Sequence, residues 1–155
     1  MNLQLVNLKK LSFVALSAIV LSVTALQANA GDTPASLDGA TVVTADKAKQ
    51  LIDGGAVIID SRVANEFAEA HIKGAHNIPY KEKSAKAVDY DASQDSFDLT
   101  KLPADKNAAI VVACNGAECW KSYKAAHAAV KAGYKKVYWF RGGFPEWKAK
   151  GYPTE

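Results

Sequence analysis

The feature that most constrains the fold of this 155-residue chain is an alternation of short, mostly apolar runs with segments of helical spacing. Four runs are predicted to be strands, at 56–59, 75–78, 108–113 and 137–140. Helical spacing and capping residues mark the segments 44–53, 63–70, 119–132 and 145–150. Strands that alternate with helices predict an α/β domain, in which a central parallel sheet is covered by helices on both faces.

The first thirty residues have the pattern of a cleavable secretory signal. Two lysines precede an uncharged, mostly apolar stretch over 11–26, and Ala28 and Ala30 have the small-x-small form of a signal-peptidase site. The stretch is shorter than the roughly 20 residues that span a bilayer, which disfavours a retained anchor. We therefore predict a signal peptide over 1–30, cleavage after Ala30, and a protein that is periplasmic or otherwise exported and has no membrane association after cleavage.

The predicted mature chain has balanced charge and the length of one domain. Without 1–30, it keeps 17 basic and 16 acidic residues, so no concentrated basic surface is expected and nucleic acid is not a predicted partner. We predict a flexible leader over 31–41 and one domain over 42–153. The polar stretch 81–107 is predicted to lie on the surface. Its predicted apolar anchors are Val88, Tyr90, Phe97 and Leu99.

Cys114 stands where the longest apolar run ends. It follows 108–113 and opens a short loop ahead of the predicted helix over 119–132. Parallel sheets form their sites at the carboxyl ends of strands, and the unpaired N–H groups of a helix start stabilise a thiolate. The position therefore favours a reactive cysteine. A buried structural cysteine and one half of an ordinary disulfide are the alternatives that it leaves open.

Three stretches resemble signatures of the rhodanese-like domain family. The run 60–79 is similar to its first signature, D-x-R-x3-E-[FY]-x3-H-I-x-G-A-x-N-I-P. Cys114 followed by 121–126 is similar to a cysteine loop that leads into R-S-x-K-A-A, and 142–153 to the terminal G-G-x3-W-x3-G-x-P. The resemblance covers about residues 42–153.

The resemblance implies a rhodanese-like α/β fold and a cysteine that carries sulfur as a persulfide. Carried over by position, Cys114 would be the catalytic sulfur acceptor, and the residues after it would form the substrate-binding loop. That loop consists of Asn115, Gly116, Ala117, Glu118, Cys119, Trp120 and Lys121. The implied framework residues are Asp60, Arg62, Glu66 and His71, and the first two are expected to form a structural ion pair.

The loop departs from the common family pattern, which places an arginine five residues after the cysteine. Here the aligned residue is Lys121, seven after Cys114. Lysine offers positive charge to a thiolate or to an anion such as thiosulfate, but it lacks the bidentate grip of arginine. Glu118 is expected to face solvent, where it would not oppose an anion. The identity of the donor stays open.

The implied mechanism is a double displacement between small molecules. Cys114 takes the outer sulfur of a donor such as thiosulfate, sulfite leaves, and the persulfide passes its sulfur to a thiol or to cyanide. No metal or organic cofactor is required. Three roles stay open for Cys119: a resolving thiol that takes sulfur or bridges to Cys114, a passive loop residue, or the nucleophile itself.

The sequence also allows other classes of function. A thiol redox protein would cycle Cys114 and Cys119 between dithiol and disulfide with a redox partner protein. A noncatalytic rhodanese-like binding module is a further alternative. A phosphatase or arsenate reductase is disfavoured because the loop has no arginine to hold an oxyanion. A zinc site is disfavoured because His71 lies within the framework signature and His76 on a predicted strand.

Overall fold

A computed structural model describes residues 31–155, in which strands and helices alternate along the chain. The strands are β1 (Ala40–Val42), β2 (Val57–Asp60), β3 (His76–Asn77), β4 (Ala109–Ala113) and β5 (Lys136–Phe140). The helices are α1 (Ala45–Asp53), α2 (Ala64–Glu69), α3 (Trp120–Lys131) and α4 (Gly143–Ala149), and two short 3-10 turns lie at Ala92–Gln94 and Leu99–Lys101. The predicted signal peptide lies outside the described residues. Within residues 31–155, no helix has the length and apolar character needed to cross a membrane.

The five strands are all parallel and lie in the order β1-β5-β4-β2-β3. Val112 of the central strand β4 lies beside Ile59 of β2 and Trp139 of β5. These three side chains pack in the core layer that contains α3, whereas Val111 and Ala113 point into the opposite layer with α1 and α4. The predicted fold class, a central parallel sheet with helices on both faces, is confirmed.

Residues 31–41, predicted to be a flexible leader, instead take part in the fold. Ala40 begins β1, which pairs with β5, and Leu37 is buried in the same core layer as α3. Thr33 is buried as well. The sequence offered little signal for this because β1 is only three residues long, and its pairing partner β5 comes near the other end of the chain. The folded domain therefore starts ahead of residue 42.

The polar stretch 81–107 lies largely on the surface, but only two of its four predicted anchors pack against the core. Tyr90 and Phe97 do so, whereas Val88 and Leu99 are 60% and 38% exposed. The buried apolar residues here are Leu102, within the stretch, and Tyr80, directly before it. Apolar side chains alone did not identify the anchors because a surface segment leaves some of them in solvent.

Candidate active site

The candidate site lies at the carboxyl edge of the sheet, where the central strand ends. Cys114 follows β4 directly and is only 1% exposed. Arg141 follows β5. Ser61 follows β2, and its hydroxyl donates a 2.9 Å hydrogen bond to the carbonyl of Ala113. Because parallel strands end at the same edge, residues that are far apart in sequence meet around Cys114.

Cys114 is joined to Cys119 by a disulfide. Their Cα atoms are 6.2 Å apart, and the bond closes the loop between β4 and α3. Cys119 is the N-cap residue of α3 and is partly exposed, so it is the more accessible member of the pair. In this state neither sulfur is a nucleophile. Thiolate chemistry at Cys114 therefore requires that the disulfide is first reduced.

Backbone contacts shape the disulfide loop and hold α4 against it. The N–H of Cys119 donates to the carbonyl of Gly116 at 3.0 Å, and Gly116 has a φ of 110°, a region that favours glycine. The N–H of Phe144 donates to the carbonyl of Cys114 at 2.8 Å. Gly143 approaches so closely that a methyl group there would collide with the Cys114 carbonyl. The start of α4 therefore packs directly on the backbone of Cys114.

A segment ahead of β1 crosses the loop. Thr33 donates from its N–H and from its hydroxyl to the carbonyl of Ala117, at 2.8 and 2.6 Å. Arg141 holds Thr33 in turn, with Nε 3.0 Å from its hydroxyl and one terminal nitrogen 2.7 Å from its carbonyl oxygen. The indole N–H of Trp120 donates to the carbonyl of Gly31 at 3.3 Å. This segment therefore fixes the middle and the end of the loop.

The sequence predictions missed Thr33 and Arg141 as parts of the site. A usable signal existed for Arg141, because it follows a predicted strand at the same sheet edge as Cys114. Thr33 gave no such signal, since it lies in a stretch that was predicted to be a flexible leader. Its role depends on contacts with loop residues more than eighty positions away.

The Asp60–Arg62 pair lies behind the site and is buried. A terminal guanidinium nitrogen of Arg62 is 2.7 Å from Oδ2 of Asp60, and Nε is 3.0 Å from the same oxygen. The guanidinium also donates to the carbonyl of Ala70 and lies 4.3 Å above the ring of Phe144. These contacts occupy the charge and the N–H donors of Arg62. They connect the ends of β2 and α2 with the start of α4. This geometry suits a structural ion pair.

The other two predicted framework residues lie in different places. Glu66 accepts a 2.6 Å hydrogen bond from the side-chain amide of Asn115, which ties the loop to α2. His71 lies away from the loop: its ring stacks on Phe67 at 3.7 Å, and Nε2 is 3.5 Å from a carboxylate oxygen of Glu155. Glu66 therefore contacts the candidate site, whereas His71 holds the C-terminal residues. Within residues 31–155, no three His, Cys, Asp or Glu side chains are grouped as metal ligands.

A shallow groove of about 260 Å³ opens beside Cys119. It brings together five of the predicted loop residues and two residues of the polar stretch. Its lining residues are Glu82, Lys86, Asn115, Glu118, Cys119, Trp120 and Lys121. Glu118 is exposed at the rim, and the lysines supply positive charge to an approaching anion. The partly exposed end of the disulfide is thus reached from a surface of mixed charge.

A buried charge cluster lies behind this groove. Lys124 of α3 is fully buried, and its Nζ is 2.9 Å from a carboxylate oxygen of Glu82 and 2.8 Å from the hydroxyl of Ser84. The same nitrogen is 3.6 Å from Asp95. Burial tends to raise the pKa of the Asp95 carboxyl, but hydrogen bonds from Ser84 and neighbouring groups outweigh it and hold that pKa well below 3.8. The cluster fastens the polar stretch to α3.

Comparisons with known proteins identify the family and support the fold. Residues 44–150 match the family model of the rhodanese-like domain. Thiosulfate sulfurtransferase 16, chloroplastic, of Arabidopsis thaliana is 27% identical over 113 residues, which are 73% of this chain and 91% of that protein. Thiosulfate sulfurtransferase 18 of the same plant is 32% identical over 114 residues, 72% of this chain and 80% of its own length.

A solved structure also resembles this chain. The crystal structure of the Alr3790 protein from Anabaena sp. is 26% identical and has a TM-score of 0.55, covering 73% of this chain and 90% of that one. The segment 44–150, which matches the family model, contains every strand and helix from α1 to α4 and every loop residue from Cys114 to Lys121.

Proposed function

Because this chain belongs to the rhodanese-like domain family, we propose that it is a sulfurtransferase that carries sulfane sulfur as a persulfide on Cys114. The donor is thiosulfate or a similar small molecule, and the acceptor is a thiol or cyanide. The observation that carries the proposal is the position of Cys114, buried at the end of the central strand and one short loop ahead of α3. Two relatives named thiosulfate sulfurtransferases, at 27% and 32% identity, support this choice of reaction.

The start of α3 supplies the electrostatics that the reaction needs. The disulfide to the N-cap residue Cys119 places the sulfur of Cys114 next to the first turn of this 12-residue helix. The side chain of the N-cap residue makes no capping hydrogen bond, so the N–H groups of the first turn and the helix dipole are available to negative charge. After reduction, this environment favours a thiolate on Cys114 and then the anionic persulfide.

The transfer itself proceeds in two displacements. The Cys114 thiolate attacks the outer sulfur of thiosulfate, a new sulfur–sulfur bond forms, and sulfite leaves with the electron pair of the bond that breaks. The acceptor then attacks the outer sulfur of the persulfide and restores the thiolate. Lys121 and Lys86 line the groove and offer positive charge to the doubly negative donor, although Glu118 also lines it and lysine cannot make the bidentate contact of an arginine.

We also propose that this reaction takes place outside the cytoplasm. The signal predicted over 1–30 would export the protein to an oxidising compartment. The disulfide between Cys114 and Cys119 suits such a compartment. Sulfur transfer there needs a reductant that returns the pair to thiols.

The disulfide also favours a second candidate function, a thiol redox protein. Cys119 is partly exposed on the groove, so a redox partner protein can exchange electrons with the pair while no sulfur is transferred. This candidate predicts reduction of insulin disulfides without any sulfur donor. It also predicts that replacement of either cysteine abolishes activity.

Mass spectrometry with single variants tests the proposed function. Protein is reduced, freed of reductant and incubated with thiosulfate, and released sulfite and intact mass are measured. Cys119→Ser should release sulfite and gain the mass of one sulfur atom, whereas Cys114→Ser should do neither. Added sulfur on Cys114→Ser, and none on Cys119→Ser, would assign the nucleophile to Cys119 instead. Sulfite release from neither variant would favour the thiol redox protein if the wild-type chain reduces insulin disulfides, and the noncatalytic binding module if it does not.

A further inference from the structure

The disulfide shows that the sulfur of Cys119 reaches the sulfur of Cys114 while both residues are held in the folded loop. A persulfide on Cys114 would therefore form next to a second thiol. We infer that Cys119 resolves this persulfide by attacking the sulfur of Cys114, so that the transferred atom leaves as sulfide and the co-substrate is a dithiol reductant. The inference rests on the proposed function, because it requires the persulfide to form.

The step balances with the groups present on the loop. The Cys119 thiolate forms a bond to Sγ of Cys114, and the bond between that Sγ and the outer sulfur breaks. The outer sulfur departs with the electron pair and takes one proton, from water, to become HS⁻. Two electrons reduce the sulfane sulfur, and the two cysteine thiolates are oxidised to the disulfide that the structure contains. An external dithiol then reduces this disulfide and is itself oxidised.

The burial of the two cysteines determines which sulfur of the persulfide each nucleophile can attack. Cys114 is 1% exposed, so its own sulfur is shielded from external thiols, which can approach only the outer atom of a persulfide. Cys119 reaches the shielded sulfur from inside the loop. A nucleophile that is already in place has an effective concentration that a dissolved thiol cannot match. The resolving attack by Cys119 therefore competes with transfer of the outer sulfur to an external acceptor and is favoured over it.

The contacts of the loop keep Cys119 in place for this attack. Its N–H is bonded to the carbonyl of Gly116 within the loop. Thr33 holds the carbonyl of Ala117 with two hydrogen bonds, and Arg141 holds Thr33. These contacts do not involve the sulfur atoms, so they remain available when the disulfide is reduced.

The groove beside Cys119 gives the dithiol its point of entry. Cys119 lies on this surface and Cys114 does not, so the reductant attacks the sulfur of Cys119. The leaving group is then the Cys114 thiolate, which the uncapped first turn of α3 stabilises. Reduction thus starts at the exposed sulfur and regenerates the nucleophile at the buried one.

A single-turnover measurement tests the inference. Reduced protein, freed of reductant, receives thiosulfate without an acceptor, and sulfite, sulfide and remaining thiols are quantified. The wild-type chain should release about one sulfide for each sulfite, lose both thiols and retain no added sulfur. Cys119→Ser should release sulfite without sulfide and keep the sulfur. Cys114→Ser is the control for residual reductant and should release neither.

The Cys119→Ser variant is suited to this test. Cys119 makes no side-chain capping bond in the structure, and serine is a favoured N-cap residue, so α3 should keep its start. With an excess of dithiothreitol as the dithiol, sulfide production by this variant should fall at least about tenfold, because the intramolecular attack is lost.

Two results would overturn the inference. One is an equal sulfide yield from Cys119→Ser and from the wild-type chain. The other is a wild-type persulfide that persists without loss of both thiols. In either case sulfite release would still support the proposed function. Failure of that function is distinct, because Cys119→Ser would then release no sulfite and gain no sulfur.

Discussion

Thr33 donates two hydrogen bonds to the carbonyl of Ala117, from its N–H at 2.8 Å and from its hydroxyl at 2.6 Å. This contact links a segment ahead of the first strand to the middle of the disulfide loop. Arg141 completes the link by holding both the hydroxyl and the carbonyl oxygen of Thr33. The shape of the loop therefore depends on residues from three separate parts of the chain.

Replacement of Thr33 by valine should loosen the loop. The change keeps the side-chain shape but removes one hydrogen bond to Ala117 and leaves Nε of Arg141 without its partner. The free energy of unfolding should fall by about 1 kcal/mol, and the loop amide of Cys119 should exchange faster with solvent. Denaturant unfolding and hydrogen exchange measure the two effects. Thr33→Ser keeps the hydroxyl and should resemble the wild-type chain; equal exchange in both variants would contradict the proposed link.

Replacement of Gly143 by alanine should disturb the backbone of Cys114. Gly143 has a φ of 61° and its added methyl would meet the Cys114 carbonyl, so strain and collision act together. A loss of about 2 kcal/mol or more is expected. Gly151→Ala is the matched control, since its φ of 67° imposes similar strain but its added methyl meets no atom within 4 Å. If thermal unfolding showed an equal loss of stability for Gly143→Ala and Gly151→Ala, the contact with the Cys114 carbonyl would not contribute to the destabilisation.

Replacement of Lys124 by methionine should destabilise the domain strongly. The change leaves the carboxylates of Glu82 and Asp95 buried without their cation. Removal of one partner from a buried ionic cluster costs about 3 kcal/mol or more. Lys131→Met, at an exposed position of the same helix, should change stability by less than about 0.5 kcal/mol. Addition of Glu82→Gln to Lys124→Met should restore part of the loss, and no recovery would argue against the ionic origin.

Asp95 should make stability depend on pH in the acid range. Its pKa in the folded chain lies below the ordinary value of 3.8, so its contribution is complete above that value and is lost as the pH falls below it. The groups that face its carboxylate are Ser84, Tyr80 and Lys124. Urea unfolding at a series of pH values should show a smaller acid-induced loss for Asp95→Asn than for the wild-type chain.

The control for this pH series is Asp53→Asn, which changes a carboxylate that is 63% exposed and that, among residues 31–155, is paired only with Lys49. Its unfolding curve should lose stability in acid to nearly the same extent as the wild-type chain. Identical acid sensitivity of the wild-type chain and Asp95→Asn would show that the buried carboxylate does not drive the loss.

Several parts of the fold were predictable because their signals are local. Thr44 caps α1 and Gly54 ends it, as the pattern over 44–53 predicts. The apolar run 108–113 corresponds to β4, and Cys114 follows it at the sheet edge. Each of these assignments depends on residues within one turn or one strand of each other.

The missed parts of the site involve contacts between distant segments. Glu82 and Lys86 come from a polar stretch and gave no sign that they line the groove beside Cys119. Lys124 resembles a solvent-facing helix residue in the sequence, yet it is fully buried against Glu82. Whether a charged side chain can be buried depends on the partner that the fold places next to it.

The sequence by itself determined the alternation of strands and helices and the placement of Cys114 at a strand end, because apolar periodicity and capping act over a few residues. Only the tertiary structure decided that Cys114 is bonded to Cys119, that Thr33 and Arg141 hold the loop, and that Lys124 is buried. Those features depend on how closely separate segments approach once the strands have assembled in the order β1-β5-β4-β2-β3, and no local pattern encodes that distance.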